Sequence, residues 1–100
     1  MLDFIPALVD RKDHGLRLAF EGCPETARNP GADTVGRRYQ VRKAATDLPG
    51  RPTLVVLGVD EGSVETARVR YRYASIGRAS YSVGIAAWWR RLDGAVEVTP

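Results

Sequence analysis

Arginine is the residue type in this chain with the greatest capacity to bind other groups. It supplies 13 of the 15 basic residues, and the only lysines are Lys12 and Lys43. The planar guanidinium group carries several donors, so it pairs with carboxylates and phosphates and stacks on aromatic rings as an ammonium group cannot. A GC-rich genome also encodes arginine often, and codon bias is the alternative explanation for this preference.

The most informative arginine cluster lies between Thr66 and Leu92, where six arginines occur without any aspartate or glutamate. A strand over residues 68–73 would alternate its side chains between two faces, with neighbours on one face about 7 Å apart. One face would carry Arg68, Arg70 and Arg72, and the other Val69, Tyr71 and Tyr73.

The partner of this strand is predicted to be the segment that follows a turn at Gly77. That register gathers apolar side chains on one face through the pairs Tyr73–Tyr81, Tyr71–Val83 and Val69–Ile85. It sets the arginines over small residues, with Arg72 opposite Ser82, Arg70 opposite Gly84 and Arg68 opposite Ala86. The arginine side of this hairpin would then be a flat, accessible strip of positive charge.

Two functions suit such a strip. Phosphates of a nucleic acid could bind it in a salt-sensitive, sequence-independent manner, with Trp88 as a stacking platform for a base. An acidic partner, or a second copy of the chain, could instead pair with it, because arginine is enriched in protein interfaces. A third interpretation is a solvated outer face that keeps the sheet soluble.

A second cluster without acidic residues lies between Asp33 and Asp47, where four basic residues surround Tyr39. These basic residues are Arg37, Arg38, Arg42 and Lys43. The predicted binding residues, for an interface or for phosphate, are Arg68, Arg70, Arg72, Arg37, Arg38, Arg42 and Arg90.

The chain offers little for catalysis or metal binding. Asp10 and His14 are four residues apart and would share a helix face close to Asp13, but an ion pair at a helix end is the simpler interpretation. Cys23 could act as a nucleophile only if a base reached it, and His14 is the single histidine. The glycines also lack the spacing of a phosphate-binding loop. We therefore predict no catalytic residue, no metal site and no cofactor.

Composition predicts a single domain over residues 1–100. Of the 100 residues, 44% are hydrophobic and the net charge is only +3, which is typical of a folded globular protein. One cysteine excludes an internal disulfide. The apolar stretch Phe4–Val9 is too short to span a bilayer and follows Asp3 instead of a basic region. We therefore expect neither membrane insertion nor a secretory signal, and a location in the cytoplasm or in a particle assembled inside the cell.

The apolar periodicity predicts one helix followed by strands. We expect a helix over 4–13 that Gly15 terminates, a strand over 16–21, a long loop over 22–36, and further strands over 37–46, 53–59, 64–76, 79–92 and 95–99. The apolar segment 53–59 should be the central strand. A helix is the alternative around Ile85, Trp88, Trp89 and Leu92, which also have helical spacing.

The predicted fold is therefore α+β and β-rich, with a short N-terminal helix packed on a bent antiparallel sheet or small barrel of five to six strands. An all-β sandwich is the alternative. For function we predict a non-catalytic structural or interaction module, a self-associating homo-oligomer in a larger assembly such as a viral or phage particle, with 16–21 or 95–99 as the interface edge. The alternatives are a nucleic-acid-binding β-module that uses the arginine strip, and a small enzyme or ligand binder within the bent sheet.

Overall fold

Five strands form one antiparallel sheet in the computed structural model, which describes residues 14–42, 52–60, 66–74 and 79–99. They are β1 (Arg38–Gln40), β2 (Thr53–Asp60), β3 (Arg68–Tyr73), β4 (Ser80–Gly84) and β5 (Val96–Val98). The strand order is β4-β3-β2-β1-β5, so β4 and β5 are the two edges and the sheet is not closed. The predicted antiparallel α+β fold is confirmed, and the predicted small barrel is wrong.

The most apolar strand, β2, lies at the centre of the sheet, as its sequence predicts. Leu54 and Val56 point to the inner face and are almost fully buried. A β-bulge between Val56 and Gly58 then inserts one extra residue, Leu57, opposite β3. The bulge keeps Val59 on the inner face, where it pairs with Val69 and packs against the core.

Within the part of the chain that the structure describes, three α-helices and one short 3-10 helix lie against the sheet. They are α1 (His14–Gly22), α2 (Glu25–Arg28), α3 (Ile85–Leu92) and the 3-10 helix Ala32–Thr34. An all-β sandwich is therefore excluded. The predicted helix over 4–13 lies outside the described residues, and so does the turn at Gly77.

The segment of α1 was predicted to be a strand, and that prediction is wrong. Leu16, Ala19 and Cys23 are buried at helical spacing, whereas Leu18, which a strand would have buried, is 51% exposed. The alternation of large apolar residues is misleading here because the small side chains of Ala19 and Cys23 also belong to the core. Gly15, the predicted helix terminator, lies within α1.

The strand predicted over 79–92 ends at Gly84, and the rest of that segment is α3. Four residues at helical spacing, Ile85, Trp88, Trp89 and Leu92, are buried together, as the helical alternative expects. Gly94 terminates the helix with a φ of +79°, which glycine adopts readily. The predicted strand over 95–99 is present as β5, which pairs with β1.

The predicted long loop over 22–36 is a structured segment that the two tryptophans hold in place. The indole Nε1 of Trp88 donates to the carbonyl oxygen of Ala27 at 2.8 Å, and that of Trp89 donates to the carbonyl oxygen of Arg28 at 2.8 Å. Buried tryptophans require such partners. The helical layer is therefore joined to the segment through its backbone as well as through apolar contacts.

The core between helices and sheet is mainly aromatic. Trp88 contacts Tyr39 and Tyr71, with ring centroids 6.3 Å and 6.0 Å away. Trp89 meets the edge of Phe20 at 5.0 Å. Pairs of this kind add stability beyond the burial of their surface.

Candidate binding surface on the outer face of the sheet

Strand alternation sorts β3 into two opposite faces, as predicted. Its apolar residues Val69, Tyr71 and Tyr73 are buried on the inner face, and Arg68, Arg70 and Arg72 point to the outer face. In β1 the buried Tyr39 likewise points inward, which places Arg38 on the outer face. We call the surface formed by Arg38, Arg68, Arg70 and Arg72 the arginine face.

The register between β3 and β4 differs from the prediction by two residues. Tyr71 pairs with Tyr81 and stacks on it at 5.4 Å, and Val69 pairs with Val83. The predicted pair of Val69 with Ile85 cannot form because Ile85 begins α3. A shift by two residues preserves both faces, so Val69, Tyr71 and Ile85 are still buried together and Val83 packs against them.

Arg68 is held flat over β4 by the residue diagonally across from it. Its Nε donates to the Ser82 hydroxyl at 2.8 Å, and its Nη2 donates to the Ser82 carbonyl oxygen at 2.7 Å. The direct partner of Arg68 in β4 is Gly84 and not the predicted Ala86. Because Gly84 has no side chain, the guanidinium group stays accessible on the surface.

Arg70 extends in the opposite direction, across β2. Its direct partner in β4 is Ser82 and not the predicted Gly84. The guanidinium group lies over Gly58, where a Cβ atom would collide with it. Its Nε is 3.4 Å from the Asp60 carboxylate, and both side chains are about half exposed. Such an exposed ion pair contributes little to stability.

Arg72 and Arg38 lie on either side of Val55 in one row across the sheet. Val55 is only 7% exposed although it points to the outer face. Long arginine stems commonly cover an apolar neighbour while their charged ends remain in water. The row therefore joins β3 and β1 into one basic surface, in which Arg72 now faces Ser80 instead of the predicted Ser82.

The other predicted binding residues are not among the four that form the arginine face. Arg37 donates from Nη1 to the Glu97 carboxylate at 2.7 Å and from Nε to the Asp33 carbonyl oxygen at 3.0 Å. Arg90 is exposed on α3, on the helical side of the molecule. Arg42 is exposed after the end of β1, beside Gly94. The structure brings Arg38 together with the β3 arginines and does not bring Arg37 or Arg90 to them.

Trp88 cannot be the predicted stacking platform. It is 0% exposed, with its ring enclosed by aromatic neighbours and its Nε1 bonded to Ala27. A base would have no free ring face to stack on. The error follows from the helix, which turns Trp88 towards the core where a strand was expected.

A hydrogen-bonded group around Glu97 ties β5 to the helical layer. The Thr26 hydroxyl donates to Glu97 at 2.7 Å and lies 3.0 Å from the Tyr39 hydroxyl. Hydrogen bonds from Thr26 and Arg37 lower the pKa of Glu97, and burial raises the pKa of Tyr39. Both shifts keep Glu97 charged and Tyr39 neutral at physiological pH, which suits a structural role.

The residues considered for catalysis or metal binding do not form a site within the described chain. Cys23 is 1% exposed, and burial raises the pKa of its thiol to about 12, so it stays protonated. Among the described residues, no three His, Cys, Asp or Glu side chains are grouped so as to hold a metal ion. Asp10, Asp13 and the side chain of His14 lie outside the description.

One candidate surface that the sequence did not predict is the edge of β4, which is open among the described residues. None of the described strands pairs with β4 on the side away from β3. Its residues Ser80–Gly84 are uncharged, and Tyr81 is 38% exposed. Among the five described strands, β4 is the only one without a charged residue, and this feature can be read from the sequence. It was overlooked because residues 79–92 were interpreted as one long strand.

Comparison of the chain with protein-family models, with curated proteins and with solved structures found no match. None of the described helices has the length and apolar character needed to span a membrane. The arginine face and the β4 edge are therefore the candidate functional surfaces of the described chain.

Proposed function

We propose that this chain is a non-catalytic structural and interaction module that self-associates through the free edge of β4. The observation that carries this proposal is an exposed edge strand of five residues without a charged side chain. An edge strand presents unpaired backbone N–H and C=O groups that another strand can bind. Sheets usually protect such edges with a charge, a proline or a bulge, and the sequence of Ser80–Gly84 contains none of these. The only described charge against this strand is the Arg68 guanidinium group, which β3 supplies and which is bonded to Ser82.

A second copy of β4 fits this edge in one register. Antiparallel pairing about a twofold axis at Ser82 sets Ser82 opposite itself, Tyr81 opposite Val83, and Ser80 opposite Gly84. All five residues are then paired, and each pair joins side chains of the same face. The pair of aromatic and β-branched side chains occurs twice, and each contributes roughly 0.2–1 kcal/mol.

The opposite edge of the sheet does not favour this kind of pairing. In β5 the central residue is Glu97, and a twofold axis there would set two carboxylates against each other. Glu97 is also bonded to Arg37 and Thr26. The chain therefore has one edge that resists a second copy and one that accepts it.

The proposed dimer is expected to be weak and dependent on concentration. Pairing of five residues lies at the small end of specific interfaces, so association should occur in the range of roughly 1 µM to 1 mM. Sedimentation velocity over that range should show exchange between monomer and dimer. Wild-type protein that remains monomeric throughout would contradict the proposal.

Charge substitution at the twofold axis tests the location of the interface. Ser82→Lys should give a monomer, because the two lysines would face each other. Val96→Lys adds the same charge to the β5 edge, where Val96 is 62% exposed, and should leave association unchanged. Thermal unfolding of both variants checks that each one folds.

Mixing two charge variants provides a rescue. Ser82→Lys and Ser82→Glu should each be monomeric alone, whereas an equal mixture should form a heterodimer because the opposite charges meet. A mixture that stays monomeric, or a Val96→Lys variant as impaired as Ser82→Lys, would place the contact elsewhere.

A further inference from the structure

The outer face of the sheet carries more positive charge than its own residues neutralise. Its described residues include four arginines and one carboxylate, that of Asp60, which leaves a net charge of +3. Arg68 is tied to neutral groups of Ser82. Among the described residues of this face, only Arg70 has a carboxylate partner, and that pair is about half exposed to solvent.

The arginine groups are spread over an area and lie against a flat background. Arg68, Arg70 and Arg72 follow β3 at intervals of about 7 Å, and Arg38 lies two strands away, about 9.6 Å across the sheet. Glycine and serine stand beside them at Gly58, Gly84, Ser80 and Ser82. A broad polyanion can therefore approach several guanidinium groups at once.

Aromatic side chains are missing from this face among the described residues. The seven described aromatics all lie on the inner side of the sheet, in the core or stacked against it. Proteins that bind single strands combine basic grooves with exposed aromatic rings on which bases stack. A duplex needs no such platform, because its bases stack on one another and its phosphates lie on the outside, where basic side chains reach them.

From this combination we infer that the arginine face binds the phosphate backbone of duplex DNA without reading its sequence. Guanidinium groups pair well with phosphate oxygens, and binding releases the counterions condensed on DNA. This inference depends on one observation: four guanidinium groups lie together on a flat face whose described residues include no aromatic ring. The arginine face adjoins the β4 edge, because Arg68 is bonded to Ser82, but DNA binding to this face does not depend on self-association.

Fluorescence anisotropy with labelled duplexes tests this inference. Two duplexes of unrelated sequence should bind with equal affinity. If all four arginines contact phosphates, the slope of log K against log salt should be about −3.6, and affinity should fall roughly 100-fold between about 50 and 200 mM salt. Absence of binding at the lower salt concentration would overturn the inference.

Matched variants assign the binding to the arginine face. Arg68→Ala combined with Arg72→Ala should reduce the salt slope by about 2, whereas the same pair changed to Lys should retain most of it because the charge remains. Arg90→Ala removes one charge from the helical side and should leave the slope unchanged, since distant charges are screened within about 10 Å. Thermal unfolding of each variant checks the fold.

Two further results would exclude duplex DNA as the ligand. A single strand of equal length that binds more tightly than the duplex would require a stacking surface that the described face lacks. Face variants that weaken self-association in sedimentation, without any DNA binding by the wild type, would show that the arginines contact protein. A monomer that binds duplex DNA would retain this inference while removing the proposed β4 dimer.

Discussion

The inner and outer faces of this sheet are built from alternate residues of the same strands, yet they differ in residue type, burial and contacts. In β3 the inner face carries Val69, Tyr71 and Tyr73, which are at most 5% exposed, and the outer face carries three arginines. Inner residues pack against helices, and outer residues contact the neighbouring strands and solvent. Stability should therefore depend on one face and binding on the other.

The largest expected effect of a substitution is at Trp88, the most enclosed residue of the inner face. Trp88→Ala removes contacts with Tyr39 and Tyr71 and leaves the Ala27 carbonyl oxygen without its partner. We expect a loss of about 3 to 5 kcal/mol in the free energy of unfolding, measured with guanidinium chloride. A loss below about 1 kcal/mol would mean that Trp88 is not at the centre of the core.

A smaller loss is expected at Ile85, where the inner face meets α3. Ile85 is 2% exposed, and Ile85→Ala should cost about 2 to 4 kcal/mol because it leaves a cavity. Leu57→Ala is the matched control from the bulge of β2, where Leu57 is 37% exposed, and should cost less than about 1 kcal/mol. If chemical denaturation showed the same loss in the free energy of unfolding for both variants, stability would not depend mainly on the inner face.

Alkaline pH should lower the free energy of unfolding, because buried residues of the core lose their protons more readily in the unfolded chain. Burial raises the pKa of Tyr71 to about 12 from an ordinary value of about 10, so the unfolded chain releases this proton first. The contribution to stability is complete below pH 10 and is lost as the pH rises through 12. Cys23, whose pKa burial also raises to about 12, acts in the same direction.

Ultraviolet absorbance follows the ionisation of the tyrosine side chains as the pH rises. The tyrosine that ionises at the highest pH is Tyr71 if this step is missing from the titration of Tyr71→Phe. Thermal unfolding between pH 9 and pH 12 should show the fall in stability, and Tyr71→Phe should reduce it. A Tyr71 that ionises at its ordinary pH in the folded protein would contradict the assigned burial.

The smallest expected change in stability is at Arg70. Its ion pair with Asp60 is exposed and its guanidinium group lies above Gly58, so Arg70→Ala should change the free energy of unfolding by no more than about 0.5 kcal/mol. The same denaturation experiments measure it. A loss larger than that of Ile85→Ala would show that the outer face supports the fold.

Strand alternation made several features of the fold predictable. The segments of β2 and β3 have apolar or alternating patterns that strongly favour strands, and both are strands. The division of β3 into an arginine side and an aromatic side also follows from the sequence. The arginine face was therefore predicted in part, with three of its four residues on β3.

The secondary structure was predicted wrongly in segments whose apolar residues fit the period of a strand and that of a helix equally well. Residues 16–21 alternate large apolar and polar side chains, but they also place Leu16, Ala19, Phe20 and Cys23 on one side of a helix. Residues 85–92 fit either pattern, and packing of Trp88 and Trp89 against the 22–36 segment favours the helix. Local periodicity cannot decide such cases, since tertiary contacts contribute more than intrinsic propensity.

The sequence by itself determined which residues of β3 share a face, because the period of a strand is two whatever its neighbours are. Only the tertiary structure decided the register. It shifted β4 by two residues, since α3 begins at Ile85, and it brought Arg38 beside the β3 arginines by placing β1 next to β2. It also turned Trp88 into the core and left β4 as an edge, because strand order depends on contacts between residues far apart in the chain.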